Sequence, residues 1–351
     1  MLNESVAAAI LAMFGVSESP RDILCLEKSG HGDDYRGIFR IETSRENLVC
    51  RLCGEGACPG WLMERQARFS DLLCREGVPV AGMLKVGASL CADIQIEGNA
   101  YHVSLEQYLG VELTQANLST FWEMGSLIGR MHRISQAYSA KIGISYVASA
   151  IKTGRASFAR ILGKASPAFV DEDWVRQLGS MHDELVAALV PAWDALPAGA
   201  VHGDLGIYNN LMQTESGLGI IDFNRSGDEA FLGDALSAYY ASAHKLGWQE
   251  RLSSIPEAET LRAFFSGYGS ERTLTADETA SYPLAAALFD GLFYCKNAIE
   301  LWNSGSQGEA VERMRMGESR FQPATHPVSG PVLEGCTYDG TANRKLLPAL
   351  S

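Results

Sequence analysis

Between residues 21 and 109 apolar and polar positions alternate with the short period of β-strands. In NLVCRLC, Leu48, Cys50 and Leu52 fall on one face and Val49, Arg51 and Cys53 on the other. DILCLEKSGHGDDYRGIFRIET reads as strand, glycine-bearing turn, strand, and VPVAGMLKVG, ADIQIEG and YHVSLEQYL supply further strand material. WLMERQARFSDLLCREG instead has helical periodicity and stops at Gly77, placed as a C′ glycine. Strand, strand, strand, helix, strand, strand predicts an antiparallel sheet with one main helix laid across it. Ahead of it, VAAAILAMFGV predicts an N-terminal helix with Asn3 or Ser5 at its cap. That stretch is short for a membrane span, and its only early charge, Glu4, does not suit a secretory signal.

After Gly110 the period changes to that of helices. FWEMGSLIGRMHRIS puts Phe121, Met124, Ile128 and Met131 on one stripe, with Gly125 and Gly129 permitting close packing. Residues 150–196 are again mainly helical, two short strand-like runs follow, and helices resume from Gly233 to about Phe321. The pattern predicts a strand-rich lobe over 1–109, a larger helical lobe over 110–321 and a Pro/Gly-rich tail over 322–351.

The composition narrows the function. At 351 residues the chain suggests more than one core, and 46% hydrophobic with 20% charged residues is that of an ordinary globular protein. A formal charge of −13 argues against a nucleic-acid partner, which would call for a basic stripe. No segment reaches membrane length, so no membrane partner is expected. Cys50, Cys53 and Cys58 are closely spaced but lack a second ligand pair for zinc. The eight cysteines therefore read as free thiols of a reducing cytoplasm.

The chemistry lies in VHGDLGIYNN (Val201–Asn210) and GIIDFN (Gly219–Asn224). Asp204 offers a carboxylate to an incoming hydroxyl, while Asn209 and Asp222 are the hard oxygen ligands that Mg²⁺ takes when it shares a nucleotide's phosphates. The set is that of phosphoryl transfer. HGDxxxxN followed by IDF resembles the catalytic and metal-binding loops of the aminoglycoside phosphotransferase and choline kinase-like family, relatives of protein kinases. FLGDAL resembles the block that follows the metal loop in that family.

The resemblance, over roughly residues 20–320, implies an α+β, bilobal protein-kinase-like fold. It makes Asp204 the catalytic aspartate, Asn209 and Asp222 the metal ligands, His202 a loop-shaping residue and Asp234 a structural one. It also implies ATP as the nucleotide, with GTP open. In SGHGDDY, Gly30 and Gly32 would let backbone amides approach the phosphates. Arg51 stands where protein kinases carry the phosphate lysine, with Glu64 of the next helix as its expected partner. SLEQYLGVEL resembles the hinge, with adenine held by backbone near Glu106 and Tyr108. Asn224 departs from the acidic or small residue of many relatives, and His132 reads as a core histidine.

The acceptor is read only by class: a hydroxyl of a small, amine-bearing molecule such as an aminoglycoside, choline, homoserine or a related amino alcohol. Asp228 and Glu229 are candidates for an acidic groove. Glu300 and Glu309 read as solvated helix positions, and Phe293, Tyr294 and Trp302 as core or pocket lining. Two other readings stay open at this point: a kinase-fold nucleotide binder without turnover, and a metal-dependent phosphohydrolase.

Overall fold

The structure is a computed structural model that describes residues 2–143, 145, 151, 172–207, 210–244 and 255–322. The chain forms two compact units: Met1–Val111 with Lys141–Gly143 and Met212–Arg225, and Glu112–Ala140 with Ile144–Leu211 and Ser226–Ser351.

The first unit opens with α1 (Glu4–Met13), and Asn3 rather than Ser5 caps it, its side chain accepting from the Val6 amide. A five-stranded antiparallel sheet follows, in the order β1-β2-β3-β5-β4. The strands are β1 (Asp22–Ser29), β2 (Arg36–Glu42), β3 (Asn47–Cys53), β4 (Cys91–Ile96) and β5 (Asn99–Gln107), with α2 (Gly60–Arg75) between β3 and β4. VPVAGMLKVG forms no strand of its own. It contributes isolated bridges, Val80 with Ile220, Met83 with Glu106 and Val86 with Ser89. Two prolines, Pro79 here and Pro59 before α2, punctuate the connections. Gly77 ends α2 as expected, with the Gly77 and Val78 amides donating to the Cys74 and Leu73 carbonyls.

The alternation in β3 sorts the sheet into two faces. Leu48, Cys50 and Leu52 are fully buried in a core with Ala7, Ile10 and Leu11 of α1, together with Phe39, Ile41, Val103 and Leu105. Each such aliphatic side chain contributes about 1.5–3 kcal/mol when fully buried. The opposite face carries Arg51 and Cys53. Register places Arg36 opposite Cys53, and Ile38 and Ser104 on either side of Arg51. The polar face is thus a consequence of period two in three paired strands. A smaller sheet, order β6-β8-β9, is made by β6 (Val111–Glu112), β8 (Leu211–Thr214) and β9 (Gly217–Ile220).

The second unit is largely helical. Its described elements are α3 (Leu118–Ser135), α4 (Glu172–Trp193), α5 (Phe231–Ala243), α6 (Glu257–Glu271), α7 (Ala276–Asn303) and α8 (Gln307–Arg320), with the antiparallel pair β7 (Ala198–Val201) and β10 (Gly227–Ala230). Phe121, Met124, Ile128 and Met131 of α3 are all fully buried. Gly125 lets α3 meet α6 backbone to backbone: a Cβ there would sit 1.9 Å from the Phe264 carbonyl oxygen. Gly267 of α6 is the reciprocal case, 1.9 Å from the Trp122 carbonyl oxygen. Asn209 and the tail from residue 323 lie outside the described residues. No described helix is long and apolar enough to cross a membrane.

Candidate active site

In the first unit the polar sheet face converges on Asp222. β9 ends at Ile220, whose amide donates to the Pro79 carbonyl, and the 3-10 turn Phe223–Arg225 follows. α2 holds this turn: Phe69 meets the Phe223 ring edge-on at 5.9 Å, and Gln66 Nε2 donates to the Asn224 carbonyl at 2.8 Å. Between them Asp222 adopts φ +66, a left-handed conformation rarely held without a reason in the surroundings. Its carboxylate points at two guanidiniums. Arg51 Nη1 is 2.5 Å from Oδ1, and Arg36 Nη2 is 3.9 Å from Oδ2.

Arg51 also lies 3.7 Å from Glu106. Burial opposes the Arg51 charge, but Asp222 and Glu106 outweigh it and hold its pKa above the ordinary arginine value. Burial pushes the Glu106 carboxyl up, against the pull of Arg51. The Glu106 side chain therefore faces the charged cluster. Tyr108 is placed by its amide, which donates to Asn47, and by Arg40 over its ring at 5.9 Å.

The expected Arg51–Glu64 pair does not form. Glu64 Oε2 instead accepts from the amides of Leu90 and Cys91 at 2.9 Å each, and its other oxygen bridges Arg68 at 2.6 Å. A carboxylate one turn into α2 satisfies two otherwise stranded amides at the start of β4, while Asp222 supplies the charge that Arg51 needs. Sequence reasoning also passed over Arg36. Its register opposite Cys53 was the available signal, two positions along from Arg51 on the same face.

The Gly30–Gly32 turn has left-handed φ at both glycines, +66 and +57. At Gly30 a Cβ would lie 2.1 Å from the Asp34 carbonyl oxygen, so only glycine fits. The turn is joined to the loop before α2 by Ala57 N–H donating to Asp33 and Gly54 N–H donating to Tyr35.

A cavity of about 100 Å³ is lined by Arg36, Arg51, Gln66, Ser70, Glu106 and, from the turn that follows Asp222, Asn224, among others. Arg36 Nε, Asn224 Nδ2 and Ser70 Oγ are buried there without a hydrogen-bond partner. Stranded donors beside a carboxylate suit a ligand that brings both acceptor oxygens and a cation, as a metal–phosphate does. By contrast Cys50, Cys53 and Cys58 form no metal cluster among the described residues. Burial pushes the thiols of Cys50 and Cys58 up to about 12 and about 11, away from the thiolate that a metal needs.

In the second unit, β7 delivers His202, Gly203 and Asp204 into a tight loop. His202 is fully buried; its Nδ1 accepts from the Asp204 amide at 3.3 Å, and its carbonyl accepts from Ser226 Oγ at 3.4 Å. Gly203 N–H donates to Asp234 Oδ1 at 2.8 Å, and Ile207 N–H to Ser242 Oγ at 3.1 Å. The loop is therefore held from α5 at two points, and the half-buried Asp204 side chain sits at its turn. Asp234 thus acts on the loop through the backbone.

The acceptor candidates divide. Glu229 is buried and accepts from Trp193 Nε1 at 3.0 Å and Ser145 Oγ at 3.3 Å, so it is committed to packing rather than to a groove. Asp228 stays half-buried, and Glu300 and Glu309 are exposed helix positions. Tyr294 is buried beside a cluster that sequence reasoning missed. His244 Nε2 lies 2.5 Å from Asp290 Oδ1, and Arg320 bridges Asp290 at 3.2 Å and Glu257 at 2.8 Å. His244, Glu257 and Asp290 have the spacing of metal ligands, but the Arg320 guanidinium already bridges the two carboxylates.

No protein-family model and no curated protein matches this chain. Solved structures do. A microcompartment-associated aminopropanol kinase superposes with TM-score 0.65 at 17% identity, over 94% of this chain and 99% of that one. An amicoumacin kinase in complex with AMP-PNP, Ca²⁺ and Ami gives 0.63 at 16% identity, over 93% and 97%. A choline kinase from Cryptosporidium parvum gives 0.54 at 13% identity, over 93% and 100%. The chain has the fold that these small-molecule kinases share: an antiparallel sheet with its helix in the N-terminal region, and a helical C-terminal part.

Proposed function

We propose that this protein is a Mg²⁺-dependent kinase that transfers the γ-phosphoryl group of ATP to a hydroxyl of a small, amine-bearing molecule. The observation that carries the reading is the meeting of Arg51 and Asp222, a strand arginine and a strained loop carboxylate at 2.5 Å. Two cations beside a carboxylate, with buried donors unpaired, suit a triphosphate and its metal. The nucleotide and divalent ion of the amicoumacin kinase complex support this reading. In it, Asp222 and Asn209 hold Mg²⁺, Arg51 and Arg36 face phosphate oxygens, and the Gly30–Gly32 turn covers them. The β5 end near Glu106 and Tyr108 borders the base. Asp204 orients the acceptor hydroxyl and takes its proton as the hydroxyl oxygen bonds to the γ-phosphorus and the bond from that phosphorus to the β–γ bridging oxygen breaks, releasing ADP. The bound metal supplies screening of charge on the phosphates. The acceptor class rests on the aminopropanol and choline kinases among the neighbours and on the acidic balance of the chain. The seven described cysteines are free thiols, which fits a cytoplasmic location.

Thermal unfolding with Mg²⁺-ATP, followed by a turnover screen against amino alcohols and aminoglycosides, tests the assignment. Ligand at 100 times its Kd stabilises by about 2.7 kcal/mol. The shift is expected to vanish in Asp222→Ala. Asp204→Asn is expected to keep the shift and to lose about 10²–10⁴-fold in kcat. Phosphate release without acceptor phosphorylation would support a hydrolase instead, and an undiminished shift in Asp222→Ala would remove the metal assignment.

A further inference from the structure

The second unit contains a buried polar chain that the proposed chemistry leaves unused. We propose that Tyr268, Arg272 and Glu278 form, with His132 and Asp234, a directional hydrogen-bond relay that sets the Gly203 amide and so positions Asp204. The inference rests on the catalytic reading of Asp204 given above.

The relay begins at the start of α7, where Thr275 and Glu278 form a capping box. Glu278 Oε2 accepts from the Thr275 amide at 2.8 Å and from Arg272 Nη2 at 3.0 Å. Arg272 Nη1 donates to the Tyr268 hydroxyl oxygen at 2.7 Å. The Tyr268 hydroxyl is 3.0 Å from His132 Nδ1, His132 Nε2 is 3.0 Å from Asp234 Oδ2, and Asp234 Oδ1 receives the Gly203 amide at 2.8 Å. Tyr268, His132, Asp234 and Glu278 are each at most 1% exposed, and Arg272 is 6%.

Chemistry allows this chain one polarity. Arginine only donates and carboxylate only accepts. With Asp234 ionised, the His132 proton belongs on Nε2, which leaves Nδ1 to accept from Tyr268, whose oxygen accepts from Arg272. Every hydrogen then points from Arg272 toward Asp234. A protonated imidazole would have no lone pair for Tyr268 and would break the chain at its centre. Packing holds the geometry. Gly129, one turn before His132, lets α3 approach α6, with a Cβ there only 2.6 Å from the Tyr268 carbonyl oxygen. Phe231 stacks on the His132 ring at 4.7 Å and lies under the Arg272 guanidinium at 4.8 Å.

The charged and titratable groups facing His132 are Asp234 from α5, Tyr268 and Arg272 from α6 and its end, and Glu278 from α7. Burial lowers the His132 pKa and Arg272 adds to this, while Asp234 and Glu278 oppose it. Because the folded pKa lies below the ordinary histidine value of 6.5, the neutral relay is complete above that pH. The stability it lends is lost as pH falls below 6.5 toward the folded value, where the unfolded chain binds the extra proton.

The test uses the full chain and two substitutions. Tyr268→Phe removes the donor to Nδ1; His132→Gln keeps a donor toward Asp234 but cannot titrate. Histidine ¹⁵N NMR of the wild type is expected to show the Nε2–H tautomer at neutral pH. In Tyr268→Phe the His132 midpoint should rise by about one unit. With Mg²⁺-ATP and an amino-alcohol panel, kcat of Tyr268→Phe should fall about ten- to a hundredfold, with KM for ATP little changed. The acid limb of kcat should move up with the NMR midpoint and disappear in His132→Gln. An Nδ1–H tautomer, an acid limb superimposable on that of the wild type, or a loss of kcat that only follows a loss of folded protein would overturn the relay. If the wild type transfers phosphate to no acceptor, the reading of Asp204 fails instead, and the NMR arm alone decides the relay.

Discussion

Arg51 lies 171 residues before Asp222, yet their side chains meet at 2.5 Å. The pair explains why a buried arginine is tolerated on a strand: it has two carboxylate neighbours, and removing it would take that cation from Glu106 and leave Asp222 with Arg36 at 3.9 Å. Arg51→Met should therefore cost about 1–3 kcal/mol in urea unfolding, moderated because Asp222 is partly exposed and screened. Glu106, already pushed up by burial, should rise further once its cation is gone. Calorimetric titration with Mg²⁺-ATP should show at least a tenfold weaker Kd, with Arg51→Lys in between because it keeps the charge but not the fork. An unchanged stability together with an unchanged Kd would count against the cluster as the phosphate site.

Among elements, the contact of α3 with α6 governs most of the second unit's site. It exists because two glycines face opposing carbonyls, and it brings His132 against Tyr268. Gly267→Ala would put a methyl group 1.9 Å from the Trp122 carbonyl oxygen, which only a helix shift can relieve. It should destabilise by about 1–3 kcal/mol or more. Gly269, two residues further along the same helix and exposed, meets nothing within 4 Å. Gly269→Ala should stabilise by up to about 1 kcal/mol through helix propensity alone. Paired melting curves of the two variants check this; equal effects would mean that the helix contact is not as tight as described.

For the whole molecule, charge is the informative quantity. A formal charge of −13 raises the local concentration of cations around the chain. If the acceptor carries an amine, its KM should rise several-fold between about 0.01 and 0.15 M salt, as the Debye length shrinks from roughly 30 to 8 Å. A neutral hydroxyl acceptor should show a flat profile. Steady-state kinetics on one acceptor of each kind separate the cases, and identical salt dependence would show that the net charge plays no part in acceptor choice.

Much of this molecule was legible in one dimension. Period-two runs and a single α2 period defined the N-terminal sheet and its helix, since alternation follows directly from strand geometry and burial. The α3 stripe was equally legible, and Gly125 and Gly129 announced a close helix contact before its partner was known. HGDLG and IIDF marked two turns, one held by Asp234 through the Gly203 amide and one carrying Asp222 at positive φ, because tight turns need particular residue types at fixed positions. What tertiary structure alone decided is the pairing of charges. Arg51 meets Asp222 and not Glu64, Glu229 is spent on Trp193, and His132 is wired to Arg272 through Tyr268. Periodicity records which face a side chain occupies. It carries no record of which distant segment is packed against that face, and Coulomb and hydrogen-bond energies depend on distances that only the packed chain sets.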